Sequence, residues 1–207
     1  AVPLQLGNPE LRWQTTQDKT IGIDLTAFKK RFSLTVDYFH KLTDPLLISI
    51  TMPPSSGTGE YYTNAGGQIT QGLNFTASYQ ILRNTHRQLL WTVRFNGRTL
   101  KSRLHGIGNK LDQFNASHGG GTLIRYRDGT DPDDMWAIRS YGIDPSTSRE
   151  LFLTKDGQFT YDYSTGNEVI VGNIRPDLEG VAGSSFSLGG FTLNLNFRYQ
   201  IGAEVYN

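Results

Sequence analysis

Two groups of residues in the middle of the chain have side chains that could bind a ligand. The first is a segment that packs four carboxylates into residues 128–134. They are Asp128, Asp131, Asp133 and Asp134. Hard cations such as Ca²⁺ take several oxygen ligands from one loop. The segment lacks the final glutamate of an EF-hand loop and contains Pro132, so it is interpreted as an acidic, solvated loop, with calcium as the weaker alternative.

The second group places aromatic rings beside guanidinium groups. It comprises Arg125, Tyr126, Arg127, Trp136, Arg139 and Tyr141. Aromatic faces stack on flat apolar surfaces such as those of sugar rings, and arginine forks bind carboxylates such as peptide termini. These residues are therefore candidates for contact with a substrate or a partner. The alternative is that they pack the loop onto the rest of the molecule.

Other chemistry has little support in the sequence. The chain has no cysteine, which excludes disulfides and thiolate metal sites. No two histidines have ligand spacing, and no nucleophile lies in a motif with its base. We predict that the chain is not an enzyme and that it has no cofactor and, the weak calcium candidate aside, no metal. A formal net charge of +1 gives no electrostatic argument for nucleic-acid binding.

The elements that must position these residues are strands. Apolar and polar residues alternate from Phe191 to Tyr206, which predicts one long strand with an apolar and a polar face. Five other segments show the same alternation. The six predicted strands span residues 19–28, 31–42, 68–81, 89–100, 178–188 and 191–206. Strands of soluble domains usually have about 5–6 residues, whereas long alternating strands are typical of transmembrane β-barrels.

The connections between the predicted strands differ in length. Short turns lie near residues 28–31, 83–87 and 188–191, and long loops span residues 43–63 and 101–173. Outer-membrane barrels have short periplasmic turns and long extracellular loops. The sequence therefore predicts an all-β fold, an antiparallel transmembrane β-barrel segment with long extracellular loops. Within the second loop, Asp131 and Pro132 predict a short helical turn over residues 131–138.

Three arginines lie on the polar faces of predicted strands, namely Arg94, Arg98 and Arg198. In a barrel wall the polar face points to the lumen, and an arginine on the lipid face near the midplane costs about 2–4 kcal/mol. We therefore predict that these three side chains face the lumen. Six strands are fewer than the roughly 8 of the smallest natural barrels, so we expect the chain to form part of a larger barrel.

The alternative from another class is a soluble, extracellular all-β carbohydrate-binding module. In a β-sandwich the apolar faces are hidden between two sheets. Long strands and one-sided loop lengths favour the barrel over this sandwich. A hydrolase on a β scaffold ranks below both, because no catalytic constellation is present.

Several motifs, spread over nearly the whole chain, carry a family resemblance. They are residues 8–13 (NPELRW), 21–24 (IGID), 29–31 (KKR), 37–39 (DYF), 142–145 (GIDP), 149–153 (RELFL), 155–157 (KDG), 172–176 (GNIRP), 190–191 (GF) and 199–202 (YQIG). In this order they resemble a segment of the SusC/RagA-like TonB-dependent transporters of Bacteroidota. The segment resembles part of the C-terminal half of the barrel.

The resemblance implies a 22-stranded barrel with an N-terminal plug in the outer membrane of a Gram-negative bacterium. It also implies import of glycans, oligosaccharides or peptides, energised through TonB. The expected partners are the rest of the barrel and its plug, a SusD-like surface lipoprotein, the TonB complex through an N-terminal part, and outer-membrane lipid.

Overall fold

A computed structural model describes residues 7–51, 60–108, 110–117 and 122–205. Within these residues, one α-helix, α1 (Asp112–Ser117), and a 3-10 helical turn at Thr165–Asn167 accompany thirteen strands. The strands are β1 (Thr16–Ala27), β2 (Phe32–Thr43), β3 (Leu47–Thr51), β4 (Glu60–Asn64), β5 (Gly67–Asn84), β6 (Leu89–His105), β7 (Asp134–Ala137), β8 (Arg139–Ile143), β9 (Glu150–Leu153), β10 (Phe159–Thr160), β11 (Val169–Asn173), β12 (Leu178–Leu188) and β13 (Phe191–Ile201). Among the described residues, no helix has the length and apolar character needed to cross a membrane.

The six long strands form one antiparallel sheet in the order β1-β2-β5-β6-β12-β13. The prediction of six long antiparallel strands is confirmed. Short turns at residues 28–31, 85–88 and 189–190 lie at one end of this sheet. The excursion that contains β3 and β4, and the long loop of residues 106–177, lie at the other end. Residues 52–59 of the first long loop lie outside the described residues.

The register of the sheet gathers the apolar residues on one face. Ile23 pairs with Val36, and Val36 pairs with Phe75. One residue along, Asp24 pairs with Thr35, whose hydroxyl donates a 2.6 Å hydrogen bond to the Asp24 carboxylate. Because side chains alternate between the faces of a strand, every pairing in the sheet keeps the two faces separate. One face is apolar from β1 to β13, and the other is polar.

The apolar face is exposed to its surroundings. Ile21 is 75% exposed and Phe197 is 67% exposed, and among the described residues no second sheet packs against them. The 11 residues of β13 span about 33 Å, and a tilt of about 40° reduces this to a height of about 25 Å. This is the height of the apolar band of an outer-membrane barrel. The sandwich alternative has no support here, because its apolar face would be covered.

The strand β12 has few large side chains, and side chains of the neighbouring strands fill the space that this leaves. Gly180 of β12 pairs with Gly97 of β6 on one side and with Tyr199 of β13 on the other. The Tyr199 ring lies across both glycines, and a Cβ atom at Gly97 would lie 2.7 Å from its hydroxyl oxygen. That hydroxyl donates a 2.7 Å hydrogen bond to the Asn96 carbonyl. The tyrosine therefore closes a gap that the two glycines leave in the sheet.

The predicted ends of four strands need correction. Strand β1 begins at Thr16 instead of residue 19, and β5 ends at Asn84 instead of residue 81. Strand β13 ends at Ile201 instead of residue 206, because Gly202 has a φ of +87° and turns the chain. The Glu204 amide then donates a 3.0 Å hydrogen bond to the Asn173 carbonyl of the loop. Tyr206 lies outside the described residues. Strand β6 continues to His105, so the second long loop begins later than residue 101.

The helical turn predicted over residues 131–138 is wrong. Residues 134–137 form β7, which pairs antiparallel with β11, and the Trp136 amide donates a 2.7 Å hydrogen bond to the Leu123 carbonyl. Both Met135 and Trp136 are buried in this arrangement. Pairing with a segment about 35 residues away in the sequence outweighs the local capping signal.

The buried hydrophobic cluster of the chain lies beneath the long loop, at the loop end of the sheet. Leu104 of β6 packs there with Ile107 and Leu111, all three at most 3% exposed. Leu46, Ile48 and Tyr126 pack against this cluster. The loop is thus anchored to the sheet by its own small core.

Candidate functional site

The centre of the long loop is a buried ion pair. Arg125 is 2% exposed and Glu168 is 4% exposed. The guanidinium donates to both carboxylate oxygens, at 3.1 Å from Nε and 2.7 Å from Nη2. Its Nη1 donates to the carbonyls of Thr122 and Ile124. The charged group is therefore occupied within the loop, which is the arrangement expected of a residue that packs the loop.

Three more of the candidate residues lie in the same loop, two of them beside this ion pair. The Arg127 guanidinium lies over the Trp136 ring, 4.3 Å from its centre, and its Nη2 is 3.6 Å from Glu168 Oε2. Trp136 is 7% exposed. The backbone of Tyr126 is held by the side-chain amide of Asn115, which accepts at 3.0 Å and donates at 2.8 Å. For these residues the geometry favours packing of the loop over contact with a substrate.

The last two candidates lie elsewhere, on a three-stranded sheet formed by β8, β9 and β10. Arg139 and Tyr141 are both exposed, and Tyr141 is 70% exposed. The structure therefore divides the six candidates into four within the packed loop and two at the surface. Of the four, Arg125, Arg127 and Trp136 lie around Glu168, and Tyr126 packs against the Leu104 cluster. Contact of Arg139 and Tyr141 with a substrate stays a prediction.

The surface around Tyr141 carries aromatic residues that the sequence reading missed. The Tyr141 ring meets Phe159 edge to face at 5.1 Å, and the Arg149 guanidinium lies 4.9 Å from the centre of the Tyr161 ring. We call Tyr141, Phe159 and Tyr161 the aromatic platform. The spacing of Phe159 and Tyr161, two residues apart, is the signal that could have indicated it.

A hydrogen-bonded aspartate fixes one edge of the aromatic platform. Asp144 accepts hydrogen bonds from the Tyr161 hydroxyl and from the hydroxyl and amide of Ser146. These donors, the Tyr161 hydroxyl above all, hold the pKa of Asp144 well below its usual range. Because the folded-state pKa is depressed, the stabilisation by the carboxylate is present above its ordinary pKa near 3.8 and is lost as the pH falls below it.

We expect Asp144 to titrate at a lower pH than an ordinary aspartate does. In Tyr161→Phe the largest stabilising donor is gone, so titration should move back toward the ordinary range. The measurement is ¹³C NMR of the carboxyl carbon across pH 2–6, assigned by difference against Asp144→Asn. A normal titration in the unchanged protein would contradict the prediction.

The acidic segment of residues 128–134 uses its carboxylates inside the loop. Asp128 accepts from the amides of Ile107 and Gly108 at 2.7 and 3.0 Å. Asp131 accepts from the Ser102 amide at 3.0 Å, which ties the loop to β6. The remaining two are also engaged, Asp133 by the Arg175 guanidinium and Asp134 by the Asp131 amide.

These contacts leave calcium without support in this segment. Among the described residues, no group of three or more histidine, aspartate or glutamate side chains could hold a metal ion. His118 lies outside the described residues.

The three arginines predicted to face the lumen all lie on the polar face of the six-stranded sheet. Arg98 lies over the Phe39 ring at 5.3 Å from its centre. Arg198 Nη2 is 3.8 Å from Glu179 Oε2. Arg94 pairs with Gly183 of β12, beside the polar residues of β13. Their orientation toward a lumen stays a prediction that agrees with this common face.

Comparison with known proteins identifies the kind of barrel. The model of the family described as TonB dependent receptor-like, beta-barrel matches residues 2–207. The chain belongs to this family. Receptors of this family lie in the outer membrane, and contact of the apolar face of the sheet with lipid stays a prediction. The ends of the strands that carry the long loops are extracellular.

Two curated relatives in Formosa agariphila are TonB-dependent receptors named P39 and P3, each 25% identical to this chain. The alignments cover 99% and 97% of this chain but 23% and 22% of the relatives. This TonB-dependent receptor segment therefore spans about a quarter of the relatives' length. A solved structure of the RagAB peptide transporter matches with a TM-score of 0.77 at 23% identity, over 95% of this chain and 22% of that one. This likeness shows a shared fold.

Proposed function

We propose that this segment forms part of the barrel wall and extracellular vestibule of a TonB-dependent transporter that imports oligosaccharides or peptides. The observation that carries the proposal is the continuous apolar face of six paired strands below a loop layer with its own core. Such a sheet in lipid needs neighbours for its edge strands β1 and β13, because unpaired backbone groups cost several kcal/mol each. The rest of the same barrel supplies these neighbours and encloses the plug.

We further propose a SusD-like surface lipoprotein as the extracellular partner and the TonB complex as the energy source. The exposed three-stranded sheet of β8, β9 and β10, which we call the loop sheet, supports the first. The aromatic platform exposes Tyr141 by 70% and Phe159 by 56%, and apolar rings at a loop surface are typical of binding sites. The name of the matched RagAB structure, a peptide transporter, supports an import function.

The test is import by the whole transporter with Tyr141→Ala and Phe159→Ala together. Each lost ring contact is worth roughly 0.5–1.5 kcal/mol, so we expect the apparent affinity for the imported oligosaccharide or peptide to fall about 2- to 12-fold per ring. The measurement is uptake of labelled oligosaccharides and peptides by cells. Co-purification of the lipoprotein is followed in parallel, which separates contact with substrate from contact with the partner.

The matched control is Tyr163→Ala. Tyr163 is 65% exposed but contacts Phe152, which pairs with Ser140 and Thr160 and so lies on the opposite face of the loop sheet from Phe159. We expect this variant to import normally. An equal loss of uptake in Tyr163→Ala and in the double variant would contradict a specific role of the aromatic platform. Unchanged uptake and unchanged lipoprotein binding in the double variant would show that the platform has no role in either.

A further inference from the structure

A row of basic side chains crosses the outward face of the sheet at its extracellular end. The register aligns the row across four strands: Lys19 pairs with His40, His40 with the neutral Gln71, and Gln71 with Lys101. Two residues further along β6 lies Arg103, opposite Ile69. We call Lys19, His40, Lys101 and Arg103 the basic row.

Burial shows that the end of the row on β6 points away from the protein. Ser102 and Leu104 are both 3% exposed, because the loop packs over the inner face of β6 at this height. Lys101 and Arg103 alternate with them and are exposed. Their face is the apolar one: two residues toward the middle of the sheet, Tyr38 pairs with Leu73. The basic row therefore lies immediately beyond the apolar band.

The charges of the basic row are not neutralised by the described part of the chain. Lys19, Lys101 and Arg103 form no ion pair with any described residue. Nearby acids point the other way: Asp18 lies on the inner face, 3.5 Å from Lys41. No aspartate or glutamate shares the outward face within the six paired strands. Beyond the apolar band the outward face thus carries these cationic groups and no carboxylate, with the apolar Leu42 and Ile69 beside Arg103.

We propose that the basic row binds the phosphorylated headgroups of lipid in the outer leaflet. The position identifies this occupant, because acyl chains that cover the apolar band place their headgroups at the height of the row. Ammonium and guanidinium groups are strong donors to phosphate, and arginine binds it through two parallel hydrogen bonds. The proposal depends on the orientation of the barrel and not on the imported substrate.

The test uses the whole transporter in phosphatidylcholine nanodiscs that contain increasing amounts of lipid A. Each basic residue near an anionic surface contributes about 1 kcal/mol, or about fivefold in affinity. We expect Lys101→Gln with Arg103→Gln to weaken lipid A retention, measured by native mass spectrometry, by about 25-fold. The charge-preserving pair Lys101→Arg with Arg103→Lys should retain lipid A like the unchanged protein.

The matched control is Lys30→Gln with Arg87→Gln, which removes the same two charges from exposed short turns at the other end of the sheet. It should leave retention unchanged. Lipid A without its phosphate should bind the unchanged protein as weakly as the double variant binds intact lipid A. Equal retention of the dephosphorylated lipid, or an unchanged affinity in the Lys101/Arg103 variant, would overturn the proposal. Full displacement by millimolar inorganic phosphate would assign the row to free phosphate and also overturn it.

Discussion

Replacing Leu195 with arginine is expected to destabilise the folded barrel in lipid by about 2–4 kcal/mol. Leu195 lies near the middle of β13 on the apolar face and is 47% exposed in this chain. In the proposed barrel wall the bilayer covers this residue, so an arginine there loses its hydration at the depth where the cost is greatest. The measurement is the denaturant midpoint of the whole barrel in vesicles, followed by heat-modifiable migration on gels.

The matched control for this prediction is the neighbouring substitution Asn194→Arg. Asn194 lies on the polar face, where it pairs with Ser185, and charged residues on a lumen-facing surface cost little. We expect its midpoint to remain close to that of the unchanged protein. Equal destabilisation by the two substitutions would contradict the assignment of faces. If Asn194→Arg were the more destabilising one, the polar face would be the one that contacts lipid.

Removing one partner of the buried Arg125–Glu168 pair is expected to cost the loop layer about 3–5 kcal/mol of local stability. Glu168 is 4% exposed, and in Arg125→Ala its carboxylate loses the two hydrogen bonds that the Arg125 guanidinium donates. Arg127, 3.6 Å away, offers partial compensation, so we expect the lower end of the range. The effect is measured by amide hydrogen exchange in the paired strands β7 and β11, which follow Arg125 and Glu168 in the sequence.

Two further variants separate the burial of charge from the loss of packing. Arg125→Leu with Glu168→Leu removes both charges, and we expect it to recover much of the lost protection, because replacing a buried pair by apolar residues is often neutral. Arg139→Ala removes an exposed arginine from the same loop and should change stability by no more than about 0.5 kcal/mol. If Arg125→Ala behaved like Arg139→Ala, the ion pair would not hold the loop together.

Local patterns predicted the sheet well. The alternation from Phe191 onward, and that of the other long segments, predicted six strands, their two faces and the sorting of turns and loops to opposite ends. The period of two is visible in the sequence because each strand of a barrel wall needs an apolar face on one side and a polar face on the other. This need does not depend on which strands are its neighbours. Even the position of Arg94, Arg98 and Arg198 on a common polar face follows from counting residues along each strand.

The loop layer was less predictable, because its contacts join residues far apart in the chain. Nothing near Arg125 in sequence indicates Glu168, and the capping signal at Asp131 predicted a helix where pairing with Val169–Asn173 forms a strand. The aromatic rings grouped as one candidate site in fact belong to two places, the packed interior around Glu168 and the exposed aromatic platform.

The sequence by itself determined that this chain is a wall of long amphipathic strands, which resembles a TonB-dependent transporter barrel. Only the tertiary structure decided which polar side chains hold the loop in place and which are exposed and available for binding. It also placed Tyr199 over Gly97 and Gly180, and brought Lys19, His40 and Lys101 into one row across four strands. Strand faces follow from local periodicity, whereas the neighbours of a side chain depend on register and on long-range pairing.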